Sequence, residues 1–431
     1  MPESAGEPDR SRPDRLLTVA IPVFNGKALL RLCLQSVLDS TLPRDRFEIV
    51  VADDGSTEPE TRAILEELQE SLAAEPGFFR VLRARVNSGG AARPRNRILD
   101  EARGEYVFFV DADDTIGNEA LERIADALAA TPADWVALNQ VPVNGRGGHF
   151  AAARPRAEVS RARALSTLTV HKVFRRAEIE RQGLRFDTGL PSGQDLRFAF
   201  SYLLNAERFL VLGGYDFYHL THHKGDPTEP AHLSQRSRTA RARIQKNERI
   251  LGAMLQSLHA SPLPLQEQRS ILGQVCLPRM LLREGYLRAI VRAGPAAGSR
   301  ALRRLARLLA DPLVAGLDPA ELHAVTPEHL AVIAREDWHG LAQLVGGPVP
   351  APPAHRRVAE RWVLRGRHVV DTASGRTRHR RLLREIRQLR RAVDDLKEGQ
   401  LRIESALHRS ADPDPGRARP GLHETPGDPA P

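Results

Sequence analysis

Residues 87–114, NSGGAARPRNRILDEARGEYVFFVDADD, decide the fold, because a helix, a strand and a cluster of carboxylates follow one another there. Two glycines open a helix that is predicted over 90–103. The run EYVFFV that follows is apolar and rich in aromatic and β-branched residues, which is typical of a buried strand. The strand ends directly in Asp111, Asp113 and Asp114. Ligands of open α/β sheets bind at the carboxyl ends of strands, so this end of the strand is a predicted ligand site.

The same alternation of strand and helix surrounds this stretch. Helices are predicted over 29–38, 58–73 and 118–130, and the strands between them are LLTVAIPV, FEIVVADDGST, FFRVLRA and DWVALNQV. Such an order predicts an α/β fold with a mostly parallel, Rossmann-like sheet and helices on both faces. Polar residues follow the strands and are expected at one edge of the sheet: Asn25, Asp53, Asp54, Asn87 and Asp111 to Asp114.

The rest of the chain has a different pattern. Residues 140–235 mix short strands with one helix after Gln194, and residues 236–345 are predicted to be all helical, with Pro and Gly at the turns. A Pro-rich linker is predicted over 346–356. The α/β part is therefore expected over 16–235, followed by a separate helical domain.

The two ends of the chain carry further predictions. Residues 1–15 and 410–431 are polar or rich in Pro and Gly, and both are predicted to be disordered. Within 357–409, apolar residues recur at alternating steps of four and three, which predicts a coiled-coil helix that self-associates. A single amphipathic helix packed on the body of the protein is the alternative. The repeat consists of Leu382, Ile386, Leu389, Val393, Leu396, Gln400, Ile403 and Leu407.

The net charge of +9 comes mainly from one segment. Residues 355–391 contain thirteen arginines and three acidic residues. Only five of the 63 basic residues are lysines, and a GC-rich genome produces such an arginine-rich composition without any selection for nucleic acids. The chain has no recognisable nucleic-acid motif, so no nucleic-acid partner is expected. Contact of this segment with an anionic polymer or the inner face of the membrane is one interpretation, and a solvated surface is the other.

Composition excludes several classes of protein. A hydrophobic content of 41% over 431 residues excludes a wholly disordered chain. Two cysteines, Cys33 and Cys276, exclude a disulfide scaffold and a four-cysteine zinc site, and both are predicted to be buried free thiols. The polar N-terminus has no signal-peptide core, and no stretch approaches the ~20 apolar residues of a membrane span. A cytoplasmic protein is therefore predicted.

Four motifs point to chemistry, and each also has a purely structural interpretation. Clustered carboxylates at 111–114 favour a hard divalent cation, or they cap the next helix. The loop ADDGST at 52–57 is a binding loop or an ordinary turn. The start of the helix after Asn87 favours phosphate groups or is a solvated basic face. Asp195, in GLPSGQDLRF, is a general base or an acid that the helix dipole stabilises.

In this order and at these spacings, the four motifs resemble the family 2 glycosyltransferases with the GT-A fold. TVAIPVFN is similar to the first strand of that family, and ADDGST is similar to its nucleotide-binding loop. The stretch that ends in DADD resembles its metal motif, and KVFRR…GLRFDTGLPSGQDLRF resembles its acceptor-side region. The resemblance covers residues 16–225, about half of the chain.

The resemblance implies an inverting, metal-dependent transfer of a hexosyl or N-acetylhexosaminyl group from a nucleotide-diphosphate sugar, with UDP as the expected nucleotide. Asp195 is then the catalytic base. The implied metal is Mn²⁺ or Mg²⁺, with Asp111 and Asp113 as ligands and His222 or His223 as a candidate for a third. The alternative is that these histidines belong to a solvated loop on the acceptor side. The residues implied to bind the donor are Pro22, Phe24, Asp53, Asp54, Asn87, Arg95, Asp111, Ala112 and Asp113.

Two further functions stay open at this point. The expected acceptor is a glycan, a polyol-phosphate or a glycolipid of the bacterial cell surface, because the basic segment suits a polyanion. A second interpretation is a transferase that extends a polysaccharide or modifies a small acceptor. A catalytically inactive GT-A scaffold that acts through its coiled coil is the alternative from another class.

Overall fold

The computed structural model describes residues 15–143, 155–190, 192–221, 239–318, 322 and 324–346. The predicted tail, coiled-coil helix and nearly all of the leader and linker lie outside these ranges, as does His222. The described residues belong to one compact unit.

Strands and helices alternate through the first part of the chain. The strands are β1 (Arg15–Val23), β2 (Phe47–Asp53), β3 (Phe79–Arg83), β4 (Gly104–Phe109), β5 (Thr115–Ile116), β6 (Trp135–Leu138), β7 (Gln140–Val143), β8 (Arg156–Val159), β9 (Lys172–Arg175), β10 (Phe209–Leu212) and β11 (Tyr218–Thr221). The helices of this part are α1 (Lys27–Leu38), α2 (Pro59–Ser71), α3 (Ala92–Glu101), α4 (Ala120–Ala130), α5 (Arg161–Leu165), α6 (Arg176–Arg181) and α7 (Gln194–Asn205).

The second part is helical wherever it is described, as predicted. Its helices are α8 (Ala240–Ala260), α9 (Leu265–Ile271), α10 (Tyr286–Arg292), α11 (Gly294–Leu309), α12 (Pro312–Ala315), α13 (Pro327–Ala334) and α14 (Trp338–Gly346). Two π-helical segments, Leu272–Cys276 and Pro278–Arg283, follow α9. Among the described helices, none combines the length and the apolar character needed to cross a bilayer.

The described strands form a large mixed sheet in the order β3-β2-β1-β4-β9-β6-β10-β8. Strands β1 to β4 pair in parallel, and so do β6 and β10, which confirms the mostly parallel sheet. Two of the described strands depart from a purely parallel sheet: β9 runs antiparallel between β4 and β6, and β8 runs antiparallel to β10 at the edge. Three of the described strands that follow β4 in the sequence form a smaller sheet in the order β5-β11-β7. In this sheet Tyr218 lies opposite Ile116.

Alternating side chains of the central strands pack on opposite faces of the large sheet. Val19 and Ile21 belong to one core cluster with residues of α1 and α4, whereas Ala20 belongs to the other cluster. Such an alternation, with both faces covered, is what the near-continuous apolar strands predict.

The helical part shares the second of these cores. Phe198 of α7, Ile250 of α8 and Leu302 of α11 belong to one cluster of buried residues. Cys33 and Cys276 are both buried free thiols, as predicted, one in each cluster. Helix α8 therefore packs against α7, which carries Asp195, and later helices pack on α8.

Candidate active site

The loops after β1, β2 and β3 meet at the carboxyl edge of the sheet. The residues predicted to bind the nucleotide-sugar donor lie there. Asp54 is 5% exposed, and its Oδ2 accepts hydrogen bonds from Asn87 Nδ2 at 3.2 Å and from Ser88 N at 2.9 Å. Asp53 is also buried, and its Oδ1 accepts from Ser56 N at 2.9 Å. Two of the predicted donor residues, Asp54 and Asn87, are thus in direct contact.

Pro22 and Phe24 lie at the end of the first strand. Pro22 pairs with Ala52 in the parallel ladder between β1 and β2. Phe24 follows the strand and is 45% exposed, which is unusual for a large apolar side chain beside a buried sheet. An exposed aromatic ring at this edge can cover an apolar or aromatic ligand group.

Asp111 is the centre of a charged cluster at the end of β4. Arg95 Nη2 of α3 donates to its Oδ1 at 2.7 Å, and His171 Nε2 lies 2.8 Å from its Oδ2. Burial by itself raises the pKa of Asp111, but the charges and hydrogen bonds of His171 and Arg95 outweigh it and hold the pKa well below its usual range. The pairing of Arg95 with Asp111 brings together two further residues that the sequence analysis had singled out.

Asp114 lies beside Asp111 in a different electrostatic environment. It is fully buried, and Tyr218 Oη donates to its Oδ2 at 2.9 Å. The amide of Thr221 donates to its Oδ1 at 2.7 Å. Burial, followed by the negative charge of Asp113, raises the pKa of Asp114 to about 6. A carboxylate that is destabilised by a neighbouring carboxylate in this way gains most from a bound cation.

Asp111, Asp114 and His171 could together hold a metal ion. One ligand atom from each lies within 4.8 Å of the other two. Nδ1 of His171 is buried and has no hydrogen-bond partner among the described residues. Two carboxylates and an imidazole suit Mn²⁺ and are compatible with Mg²⁺. Asp113, the predicted ligand, is half-buried and is not a member of this group.

His171 is the residue that sequence reasoning missed. It lies 60 residues after Asp111 in the chain, just before β9. Because β9 runs antiparallel to β4, with Val173 opposite Phe108, the start of β9 lies beside the end of β4. Its ring also stacks on Tyr218, with centroids 4.9 Å apart. The sequence contains this histidine directly before the KVFRR motif, but only the pairing of β9 with β4 brings it next to Asp111.

Asp195 lies in the first turn of α7, where the helix dipole stabilises a carboxylate. The helix starts at Gly193, whose φ of +83° belongs to the left-handed region that glycine adopts without strain. A Cβ at this position would lie 2.6 Å from Ile250 Cδ1 of α8. Glycine is therefore favoured by the backbone conformation, and a larger residue would also displace the Ile250 side chain or the start of α7.

Lys172, the residue after His171, is a buried lysine whose charge interacts with that of Asp195. Its Nζ is buried and donates to the carbonyl and the hydroxyl of Thr169 at 2.9 and 2.6 Å. Burial lowers the pKa of Lys172 to about 7, although the charge of Asp195 acts to raise it and the charge of Arg279 lowers it further. The ring of Phe109 in β4 also lies 6.2 Å from that of Phe198 in α7, centroid to centroid, so α7 packs beside the strand that leads to Asp111.

Comparison with known proteins bears on the family to which this part of the chain belongs. Residues 18–187 match the family described as "Glycosyl transferase family 2". The chain carries a family 2 glycosyltransferase domain. This match confirms the family that the motifs resemble, and it covers the strands β1 to β4, β9 and the loops that follow them.

Relatives of this family 2 domain include enzymes that act on polymers. The chain is 31% identical over 245 residues to the poly(ribitol-phosphate) beta-N-acetylglucosaminyltransferase TarS of Staphylococcus aureus, a match that covers 56% of this chain and 42% of the relative. It is 30% identical over 220 residues to a poly(ribitol-phosphate) beta-glucosyltransferase of Bacillus spizizenii, over 50% of this chain and 34% of the relative. The chain thus spans less than half the length of both relatives.

Solved structures confirm the fold of the family 2 domain and of the helices behind it. The crystal structure of residues 1–349 of S. aureus TarS in complex with UDP superposes with a TM-score of 0.64 at 22% identity. The superposition covers 78% of this chain and 93% of that chain. The same fragment in complex with UDP-GlcNAc gives a TM-score of 0.62 at 23% identity, over 77% of this chain and 92% of that one.

Proposed function

We propose that this chain is an inverting glycosyltransferase that moves a sugar from a UDP-sugar to a hydroxyl group of a polyol-phosphate polymer. The two relatives named above act on poly(ribitol-phosphate), and UDP is present in a structural neighbour, which supports both the donor and the acceptor class. The observation that carries the proposal is the cluster of Asp111, Asp114 and His171 at the end of β4, whose ligand atoms could share one cation. The rings of Phe109 in β4 and Phe198 in α7 have centroids 6.2 Å apart, so the helix that carries the candidate base packs beside the strand that leads to this cluster.

On the donor side, the chain's own residues bind and orient the nucleotide. Asp54 and Asn87 recognise the base or ribose, and their mutual hydrogen bond holds them in place before the donor arrives. Phe24 covers the base from the exposed side. The remaining predicted donor residues, Pro22, Asp53, Arg95, Asp111, Ala112 and Asp113, complete this wall of the site.

On the acceptor side, Asp195 acts as the general base. It takes the proton of the acceptor hydroxyl while that oxygen attacks the anomeric carbon and the bond from this carbon to the UDP oxygen breaks. The attack comes from the face opposite the leaving UDP, so the configuration is inverted in one displacement. Asp195 lies in the first turn of α7, at the positive end of the helix dipole.

Asp111, Asp114 and His171 would hold a divalent cation, with Asp113 and His222 as the further ligands that the family resemblance implies. When bound, Mn²⁺ or Mg²⁺ offsets the charge that develops on the diphosphate of the leaving group. Arg95 acts on the same side of the site by neutralising Asp111. The identity of the ion is part of the proposal.

The C-terminal region adds proposals that rest on its sequence. The heptad pattern within 357–409 supports self-association, because the apolar stripe is otherwise left in water. The basic segment before it supports contact with a polyanionic acceptor or with the inner face of the membrane in the cytoplasm. Light scattering of the full chain and of a chain that ends at Pro353 separates an oligomer from a monomer.

A transfer assay tests the proposed function directly. The full chain is incubated with UDP-GlcNAc, UDP-glucose or UDP-galactose, with Mn²⁺, and with synthetic poly(ribitol-phosphate) or a neutral polyol as acceptor. Release of UDP and labelling of the polymer by at least one donor are expected. UDP binding without transfer to any acceptor would instead favour the inactive scaffold. If the chain neither bound UDP nor transferred a sugar, both interpretations would be refuted.

A further inference from the structure

The loop after β1 contains two non-glycine residues in the left-handed region of backbone conformation. Asn25 has a φ of +53° and Lys27 a φ of +47°. Such residues are strained, and they persist only where the surrounding structure determines them, most often at ligand-binding sites. Asparagine tolerates this conformation better than most residues, but glycine adopts it without cost. The side chain is therefore what asparagine adds at position 25.

The side chain of Asn25 bonds only to the loop after β2 among the contacts described. Its Oδ1 accepts hydrogen bonds from the amides of Thr57 at 2.8 Å and Glu58 at 3.1 Å. Its Nδ2 donates to Thr57 Oγ1 at 3.2 Å, and its backbone amide donates to Ser56 Oγ at 2.9 Å. Glu58, at the N-terminus of α2, makes no capping hydrogen bond with its own side chain. Asn25 thus satisfies amide groups at the start of α2 from a distant loop.

These bonds continue to the candidate donor residues. Ser56, which bonds the amide of Asn25, donates its own amide to Asp53 Oδ1 at 2.9 Å. The amide of Asp54 donates to the carbonyl of Val23 at 2.8 Å, and Asp54 Oδ2 accepts from Ser88. The loops after β1, β2 and β3 therefore form one hydrogen-bonded unit.

We infer that Asn25 is a positioning residue that joins the loop after β1 to the loop after β2 and so holds Asp53 and Asp54 in the shape that binds the nucleotide. The inference rests on the proposed function for its ligand, a UDP-sugar. Asn25 acts through its neighbours, since all four of its hydrogen bonds are to protein groups. Preorganised loops bind a ligand more tightly, because they lose less conformational entropy when the ligand binds.

The decisive variant is Asn25→Gly, because glycine removes the side chain and the backbone strain together. Asn25→Asp keeps the oxygen that accepts from Thr57 and Glu58. Glu336→Gly is the matched control, since Glu336 has a φ of +56° and is exposed outside the site. Two measurements are made on the full chain: calorimetric binding of UDP with Mn²⁺, and hydrogen exchange of the backbone amides of residues 56–58 without ligand.

Asn25→Gly is expected to weaken UDP binding about tenfold and to speed exchange at 56–58 by a similar factor, through the loss of two or three hydrogen bonds. Asn25→Asp is expected to restore the exchange protection, and Glu336→Gly to change neither quantity. The inference would be overturned if Asn25→Gly kept the exchange rates of the wild-type protein or its affinity for UDP. If the wild-type protein bound no UDP, the proposed function would fail, and the exchange comparison alone would then decide whether Asn25 joins the loops.

Discussion

Arg249 of α8 donates two hydrogen bonds to the carboxylate of Asp187, from Nη2 to Oδ1 at 2.6 Å and from Nε to Oδ2 at 2.9 Å. The side chain of Asp187 is only 6% exposed and also accepts from Arg197 of α7. Asp187 begins the loop that leads to Asp195. A helix of the second part of the chain therefore holds the loop that precedes the candidate base.

Replacement of Arg249 by lysine tests this relationship. Lysine keeps the charge but cannot form the two-pronged contact with Asp187. Arg249→Lys is expected to lower kcat about three- to tenfold through displacement of Asp195, while the KM for the UDP-sugar stays unchanged. Arg304→Lys, which alters a contact with Glu248 at 2.7 Å, is the control and should leave both constants unchanged. An increase in donor KM alone would contradict the expected role.

Removal of the charge of Asp187 gives a prediction for pH. Burial alone raises the pKa of this carboxyl, but the amide of Gly189 and the guanidinium groups of Arg197 and Arg249 outweigh it and lower the pKa below 3.8. A carboxylate with a lowered pKa stabilises the fold above its unfolded pKa of about 3.9, and this contribution is lost as the pH falls through the folded pKa.

Asp187→Asn is therefore expected to be about 1–3 kcal/mol less stable than the wild type at pH 7. The difference should shrink as the pH falls below about 4, because the unfolded wild-type chain then binds a proton that the folded protein does not yet bind. Urea unfolding of both proteins at pH 7, 5 and 3.5 measures this. A difference that is constant over the whole range would show that the charge of Asp187 is irrelevant to stability.

Two glycines with the same backbone requirement separate strain from steric overlap. Gly193 has a φ of +83° and would place a Cβ against Ile250, whereas Gly183 has a φ of +59° and no atom within 4 Å of its Cβ position. Both Gly→Ala variants should lose about 1–2 kcal/mol of stability through the backbone. Gly193→Ala is expected in addition to lower kcat, because Ile250 is buried and relief of the overlap displaces the start of α7 together with Asp195. Thermal unfolding and steady-state kinetics distinguish the two effects.

The role of Asp195 is tested by Asp195→Asn. A lost general base is expected to lower kcat by ~10²–10⁴ and to spare the affinity for the donor. Asp45→Asn replaces an exposed acidic residue between α1 and β2. It is the control for nonspecific effects of the same substitution on folding and activity. If UDP binding collapsed in Asp195→Asn, the residue would be a nucleotide contact, and the assignment as base would be wrong.

The metal site is tested by chelation and by His171. Excess EDTA is expected to abolish turnover and Mn²⁺ to restore it. His171→Ala should raise the Mn²⁺ concentration for half-maximal activity at least about tenfold, whereas His259→Ala, at an exposed histidine that pairs with Asp311, should not. Asp113→Asn is also expected to abolish turnover, since an amide cannot replace a carboxylate opposite a diphosphate. Full activity in EDTA would remove the metal from the proposal.

Local patterns were enough to predict most of the elements and the family. The apolar runs of β1 and β4 and the helical spacing of α1 and α4 each specify their element from neighbouring residues alone. The polar residues after β1 to β4 were predicted at one edge because parallel strands end on the same side. The contacts of Asp54 with Asn87 and of Arg95 with Asp111 agree with that expectation. The roles assigned to these residues stay predictions.

By itself, the sequence determined the alternation of strands and helices and the carboxylates at the strand ends, because both follow from the spacing of residues that are neighbours in the chain. Only the tertiary structure decided which distant groups meet. His171 reaches Asp111 because β9 inserts antiparallel beside β4, and Arg249 reaches Asp187 because α8 packs on the loop before α7. Such contacts depend on strand direction and helix packing over 60 or more residues, and no local spacing encodes either.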